Sequence, residues 1–164
     1  MADNKFLIEE QYKLLFNQIN SLINNENPLI TNLSNIVAAI NQSFDKISWI
    51  GFYFAKNDQL FLGPFQGKVA CTRIEFGRGV CGTAVATKLS QVVPDVHEFP
   101  GHIICDADSN SEIVIPILVN NEIFGVLDLD STKFSAFTTI DQLWLEKICN
   151  LLTEKLNFKK NILT

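Results

Sequence analysis

Segments with helical hydrophobic periodicity stand at both ends of the chain. Between residues 5 and 24, apolar residues recur at intervals of three and four, which predicts an amphipathic helix. The same pattern predicts a second helix over about residues 31–44 and a last helix over residues 134–157. Each of these helices therefore has an apolar stripe to bury.

The middle of the chain has the pattern of β-strands around one short helix. Residues 47–55 are almost all aromatic or β-branched, which is typical of a strand buried on both faces, and alternation places Trp49 and Tyr53 on the same face. The short helix is predicted over residues 83–89. The other strands are predicted over residues 59–64, 91–93, 112–119 and 122–130.

This order of elements predicts an α+β fold, in which the N- and C-terminal helices pack on an antiparallel-dominated central sheet. The length of 164 residues and the absence of a linker or repeat predict one domain over residues 1–164. Residues 94–111 form a long segment rich in turn formers that contains Cys105. We interpret it as a functional loop.

Composition and charge exclude several classes of function. Hydrophobic residues make up 47% of the chain and charged residues 19%, which is the profile of a packed globular protein. The net charge is −5 and no basic stripe is present, so we expect no nucleic-acid partner. No segment approaches the roughly 20 apolar residues of a membrane span, and the first residues lack the pattern of a secretory signal. We therefore expect a cytoplasmic protein.

The spacing of the four cysteines argues against a metal site. They stand at positions 71, 81, 105 and 149, with no CxxC pair and no paired histidines, so we expect no bound metal. In a reducing compartment, disulfides are usually transient and catalytic. Cys149 lies in the apolar stripe of the last predicted helix and is expected to be a buried core residue.

The local surroundings of Cys81 and Cys105 differ. Cys81 lies between glycines at a predicted helix N-terminus, where the helix dipole favours a thiolate. Cys105 is followed by Asp106 and Asp108, whose negative charges disfavour one. Local charge alone therefore does not nominate Cys105 as a nucleophile.

Two carboxylates lie on one face of the predicted strand 122–130. Asp128 and Asp130 are two residues apart, so both project from the face assigned to Phe124 and Val126. Clustered, partly desolvated carboxylates raise each other's pKa, so one can donate a proton while another pairs with a ligand ammonium. The alternative is that both are solvated at the rim of the sheet.

Four segments together resemble the free methionine-(R)-sulfoxide reductases, which are single GAF domains. They are WIGFYF at 49–54, GPFQGKVACTRIEFGRGVCG at 63–82, VPDVHEFPGHIICDADSNSEIVIP at 93–116 and FGVLDLDS at 124–131. The resemblance covers most of the chain, and the spacing of the three cysteines with DVHEFPGHI and SEIVIP is specific to that family.

The resemblance implies a homodimeric enzyme that needs no cofactor and reduces free L-methionine-(R)-sulfoxide to methionine, with thioredoxin restoring the thiols. It implies that Cys105 is the nucleophile that becomes a sulfenic acid, that Cys71 is the principal resolving thiol and that Cys81 is the remaining one. The implied pocket residues are three carboxylates and an aromatic wall, namely Glu112, Asp128, Asp130, Trp49 and Tyr53. Glu112 and Asp130 are the two candidates for the proton donor.

Two other functions compete with this interpretation. A non-catalytic GAF module could bind a small ligand or sense oxidants through the same pocket, although a sensor usually passes its signal to another domain. A purely structural dimerisation domain would leave the acidic pair and the loop cysteine unexplained.

Overall fold

A six-stranded antiparallel sheet forms the centre of the computed structural model, which describes residues 2–103 and 105–158. The strands are β1 (Trp49–Lys56), β2 (Gln59–Gln66), β3 (Arg73–Glu75), β4 (Gln91–Val93), β5 (Ser111–Val119) and β6 (Glu122–Ser131). Their order across the sheet is β3-β2-β1-β6-β5-β4. Five of them lie where the sequence predicts strands. Strand β3 was not predicted; its only apolar residue is Ile74, between Arg73 and Glu75.

Four helices cover the two faces of the sheet. They are α1 (Ala2–Leu22), α2 (Leu29–Ser43), α3 (Gly79–Thr87) and α4 (Thr139–Lys155). Helices α2 and α4 pack on one face with α1 against both of them, whereas α3 packs on the opposite face. The predicted α+β class is confirmed. Across the described ranges, no helix has the length and apolar character needed to cross a membrane.

Two helix starts differ from the sequence prediction. Helix α3 begins at Gly79, four residues before the predicted start, because Gly79 takes a positive φ of 62° that turns the chain into the helix. Helix α4 begins at Thr139 and not at 134. Ser135 has a left-handed φ of 52°, and Thr138 then forms a capping box with Asp141.

Strand β1 is buried on both faces, as its composition predicts. Phe52 and Phe54 belong to the core between the sheet and helices α1, α2 and α4, which also contains Cys149 at 3% exposure. Trp49 and Tyr53 belong to a second core on the α3 side. The prediction that Cys149 is a core residue is confirmed.

A bulge in β6 corrects the predicted face of Phe124. The pairing of β5 with β6 shifts so that Ile117 faces Gly125 and Leu118 faces Ile123. Phe124 is therefore skipped in the register and packs in the helix-side core, while Val126 remains on the α3 side. Asp128 and Asp130 share a face with Val126 but not with Phe124.

One buried carboxylate ties three parts of the helical layer together. Asp141 is fully buried and accepts hydrogen bonds from the Tyr12 hydroxyl at 2.7 Å, from Lys46 Nζ at 2.6 Å and from the Thr138 backbone N–H at 2.7 Å. These partners lie in α1, before β1 and at the start of α4. Asp141 therefore joins segments that are far apart in the sequence.

We predict that Asp141→Ala lowers the free energy of unfolding by about 3 kcal/mol, because it leaves Lys46 and Tyr12 without their carboxylate and removes a helix cap. Urea unfolding followed by circular dichroism measures the change. Asp45→Ala is the matched control, since Asp45 is exposed and its truncation should cost no more than about 0.5 kcal/mol. Equal midpoints for the two variants would contradict the assigned role of Asp141.

Candidate active site

A pocket opens on the α3 side of the sheet, with about 540 Å³ of empty space including its mouth. Strands β1, β5 and β6 form its floor, and α3 and two loops form its walls. It brings together seven of the eight predicted site residues, which are Trp49, Tyr53, Cys81, Cys105, Glu112, Asp128 and Asp130. The eighth, Cys71, is bonded to Cys105.

The aromatic wall of the pocket also holds the segment that carries Cys71. The rings of Trp49 and Tyr53 lie 6.0 Å apart, and the indole covers Gly51, where a Cβ would lie 2.4 Å from the ring. Trp49 Nε1 donates a hydrogen bond to the Lys68 carbonyl at 3.0 Å, and the Tyr53 hydroxyl donates one to the Cys71 carbonyl at 2.9 Å. These two hydrogen bonds therefore hold the backbone at both ends of residues 68–71.

A disulfide joins Cys71 to Cys105 at the edge of the pocket. Their Cα atoms lie 5.4 Å apart although 34 residues separate them in sequence. Cys105 is exposed, whereas Cys71 is half-buried. The bond therefore links the segment between β2 and β3 to the long loop before β5.

Lys68 joins the same two loops through ion pairs. Its Nζ lies 3.1 Å from Asp106 Oδ1 and also pairs with Asp108. The backbone N–H of Asp108 and the charge of Lys68 lower the pKa of Asp106. The carboxylates beside Cys105 thus have a cationic partner, which the local sequence did not reveal because Lys68 lies 38 residues before Asp106.

Three carboxyl groups meet on the pocket floor because of the strand register. Glu112 of β5 lies opposite Asp130 of β6. Asp128 stands two residues before Asp130 in the same strand, so both side chains project from the same face. Glu112 and Asp128 are each only 6% exposed, and Asp130 is half-buried. Asp128 Oδ1 is buried without a hydrogen-bond partner among the described residues. The alternative of a solvated rim is therefore wrong for Asp128.

Burial raises the pKa of all three carboxyls. Desolvation is the largest cause for each, and neighbouring carboxylates add to it for Glu112 and Asp128. The pKa of Asp130 rises to about 7. The pocket floor therefore holds protonated carboxyl groups at near-neutral pH.

Cys81 differs from the sequence prediction. It does lie in the first turn of α3, but its side chain is 3% exposed and its Sγ donates to Glu112 Oε1 at 3.9 Å. Burial, with Asp128 and Glu112 beside it, raises the pKa of the thiol well above its usual value. The prediction of a favoured thiolate was wrong because desolvation and negative neighbours outweigh the helix dipole.

The two histidines have separate places. Asp95 Oδ1 lies 2.8 Å from His97 Nδ1 and also accepts a hydrogen bond from the His97 backbone N–H, so the pair stabilises the loop. His102 lines the pocket with its Nε2 4.0 Å from Glu112 Oε2. Burial, and then the charge of His97, lowers the pKa of His102. Ser109 is a further buried residue of the lining that no sequence pattern predicted.

Comparison with known proteins shows which family the chain belongs to. The GAF domain family matches residues 29–156. The free methionine-R-sulfoxide reductase of Escherichia coli (strain K12) is 50% identical over 139 residues, which cover 85% of this chain and 84% of that protein. The chain belongs to the free methionine-R-sulfoxide reductase family. Its predicted GAF-type fold is thereby confirmed.

Solved structures of this family have the same fold. The free methionine-R-sulfoxide reductase of Neisseria meningitidis, solved in complex with its substrate, is 41% identical with a TM-score of 0.85, covering 88% of this chain and 87% of that one. The reduced form of fRMsr of Staphylococcus aureus is 48% identical with a TM-score of 0.85, covering 89% and 95%. The prediction of membership in this enzyme family is confirmed.

The raised pKa of Asp130 predicts a pH dependence of stability. The folded chain keeps this proton up to about pH 7, whereas the unfolded chain releases it at about pH 4. The free energy of unfolding should therefore fall as the pH rises through this window. At about pH 8, Asp130→Asn should be more stable than the parent by roughly 2 kcal/mol. This figure is about half of the free energy that the whole pKa shift corresponds to, because Asp130 borders an open pocket and solvent screens its charge.

Urea unfolding of both proteins in the disulfide form, at about pH 4 and about pH 8, measures this difference. Asp45→Asn, at an exposed position, is the control and should follow the parent at both pH values. A constant difference between Asp130→Asn and the parent across the range would contradict the assignment.

Proposed function

We propose that this chain reduces free L-methionine-(R)-sulfoxide to L-methionine in the pocket described above. The observation that carries the proposal is the Cys71–Cys105 disulfide beside a floor of buried carboxyl groups. Family membership supports the substrate, because the relative from Neisseria meningitidis was solved in complex with its substrate. A disulfide between these two cysteines is the product that the reduction of a sulfoxide by two thiols would leave.

The lining of the pocket suits a free amino acid. The unpartnered Oδ1 of Asp128 can accept the substrate ammonium. Gly79 and Val80 line the pocket in the first turn of α3, where backbone N–H groups lack intrahelical partners and favour a carboxylate. The indole of Trp49 offers an apolar surface for the methyl group. Both ends of the free amino acid therefore have complementary groups.

The chemistry transfers the oxygen from the substrate to a cysteine. The Cys105 sulfur attacks the sulfoxide sulfur while a proton reaches the sulfoxide oxygen, and release of methionine leaves Cys105 as a sulfenic acid. Glu112 and Asp130 both line the pocket with a raised pKa, so each can hold the required proton at neutral pH. The carboxyl groups thus act as general acids in this step.

Cys71 then resolves the sulfenic acid. Its thiol displaces the hydroxyl of the sulfenic acid, which leaves as water, and the Cys71–Cys105 disulfide forms. The hydrogen bond from Tyr53 to the Cys71 carbonyl holds the resolving residue in place. Cys81 remains free in this state, and we assign it to the support of Glu112, with which its thiol is hydrogen-bonded.

An external dithiol completes the cycle. Cys105 is exposed, so thioredoxin can attack the disulfide by thiol exchange and restore both thiols. A reducing cytoplasm suits this step. The expected homodimer is supported by apolar side chains that α1 leaves exposed, namely Phe6, Leu7 and Leu14.

We predict that Cys105→Ser lowers methionine formation from the R epimer by at least about 1,000-fold, because the thiol that attacks the sulfoxide is removed. Cys149→Ser is the matched control and should stay near the parent rate, since Cys149 is buried in the other core. Separate R and S epimers of free methionine sulfoxide, with a dithiol reductant, give the measurement. Turnover by Cys105→Ser would remove Cys105 from its role, and no turnover of either epimer by the reduced parent would favour a ligand-sensing module.

We also predict selectivity for the free amino acid. A peptide-bound methionine sulfoxide has no free ammonium for Asp128 and no carboxylate for the α3 terminus, and its flanking chain must enter a pocket walled by α3 and the loops. Its kcat/KM should be lower by at least about 100-fold. Competition between free methionine-(R)-sulfoxide and an N-acetylated, amidated form measures the ratio. Equal values would refute recognition of the free termini.

A further inference from the structure

We infer that Cys81, Glu112 and Asp128 form a binding site for a divalent cation of the zinc class, which occupies the pocket floor in place of substrate. The binding itself is independent of the proposed reaction. Only its competition with methionine sulfoxide rests on that proposal. From the cysteine spacing we expected no bound metal; that spacing does not indicate this site, because the three residues come from separate elements, α3, β5 and β6.

The geometry of the three side chains suits coordination. One ligand atom from each, the Cys81 sulfur and a carboxylate oxygen of Glu112 and of Asp128, lies within 4.8 Å of the other two. Ligand atoms around tetrahedral zinc are separated by roughly 3.5 Å, so shifts of about an ångström close the site. One sulfur and two oxygens are ligand types that zinc accepts. All three residues line the pocket, so a water molecule from it could supply the fourth ligand.

The surroundings of these ligands favour a cation. All three side chains are buried, and Asp128 Oδ1 has no partner among the described residues. Within residues 2–103 and 105–158, no Lys or Arg forms a salt bridge with Glu112 or Asp128. The basic group beside them is His102, whose Nε2 lies 4.0 Å from Glu112 Oε2, and burial lowers the pKa of this imidazole. A bound cation would give Asp128 Oδ1 the partner that it lacks. A proton on a neighbouring carboxyl compensates its burial only in part.

The site persists when the other pocket thiol is oxidised. Cys71 and Cys105 are paired in the disulfide, whereas Cys81 is free. Coordination displaces the protons that the Cys81 thiol and the Glu112 and Asp128 carboxyls hold, and these protons pass to solvent. The charge of the cation then offsets the negative charges that remain on the three groups. A cation at this place would also cover the floor groups that a substrate must reach.

The test uses the full chain in its disulfide form, titrated with Cd²⁺ and with Zn²⁺. Cd²⁺ bound to a thiolate gives an ultraviolet charge-transfer absorption, and Zn²⁺ binding is followed by calorimetry. We expect one equivalent of each metal to bind. Cys81→Ser should lose the Cd²⁺ absorption and weaken Zn²⁺ binding by at least about tenfold. Cys149→Ser, the control for the second free thiol, should keep both signals.

Asp128→Asn provides a second variant that keeps the shape of the side chain, and it should weaken Zn²⁺ binding by at least about tenfold, whereas Asp45→Asn at an exposed position should not. Absence of binding by the parent chain, or equal binding by the parent and both pocket variants, would overturn the inference. Failure of the proposed function is seen separately, because metal binding is measured without substrate. Zn²⁺ that binds but does not weaken the binding of methionine sulfoxide to the disulfide form would overturn the competition.

Discussion

The burial of carboxyl groups on the floor of the pocket is the constraint on which this site depends. Glu112 and Asp128 are each 6% exposed and lie beside the buried Cys81 thiol. Removing a carboxylate from water disfavours its charged form, so these groups keep protons at a pH where surface carboxylates have lost them. Burial of these groups costs folding free energy. It also keeps protons on the carboxyls of Glu112 and Asp130 and leaves Asp128 Oδ1 without a hydrogen-bond partner among the described residues.

The two faces of the sheet divide stability from chemistry. On one face, Phe52 and Phe54 of β1 pack with three helices, and Asp141 of α4 accepts a hydrogen bond from Tyr12 of α1. On the other face, Trp49 and Tyr53 from the same strand form the pocket wall and hold the backbone at Lys68 and Cys71. The larger apolar core thus lies on the helical side of the sheet, and the ionisable groups of the pocket lie on the other side.

The loops that carry the cysteines are fixed from several directions. The disulfide, the ion pairs of Lys68 with the two aspartates after Cys105 and the two hydrogen bonds from the aromatic wall all act between segments that are distant in sequence. Each contact alone is modest, since Lys68 is more than half exposed and surface ion pairs contribute little. Together they hold Cys105 at the edge of the pocket, where its side chain is exposed.

The sequence alone determined the elements and the family. Periodicity located the three long helices and five strands, the composition of 47–55 predicted burial of β1 on both faces, and the cysteine spacing with DVHEFPGHI and SEIVIP indicated the reductases. Only the tertiary structure decided the protonation of Cys81, the face of Phe124 and the partners of Lys68 and Asp141. Those properties depend on burial and on contacts between residues that are tens of positions apart in the sequence. The local signals used in the sequence analysis, such as alternation and the charge of adjacent residues, do not report on either.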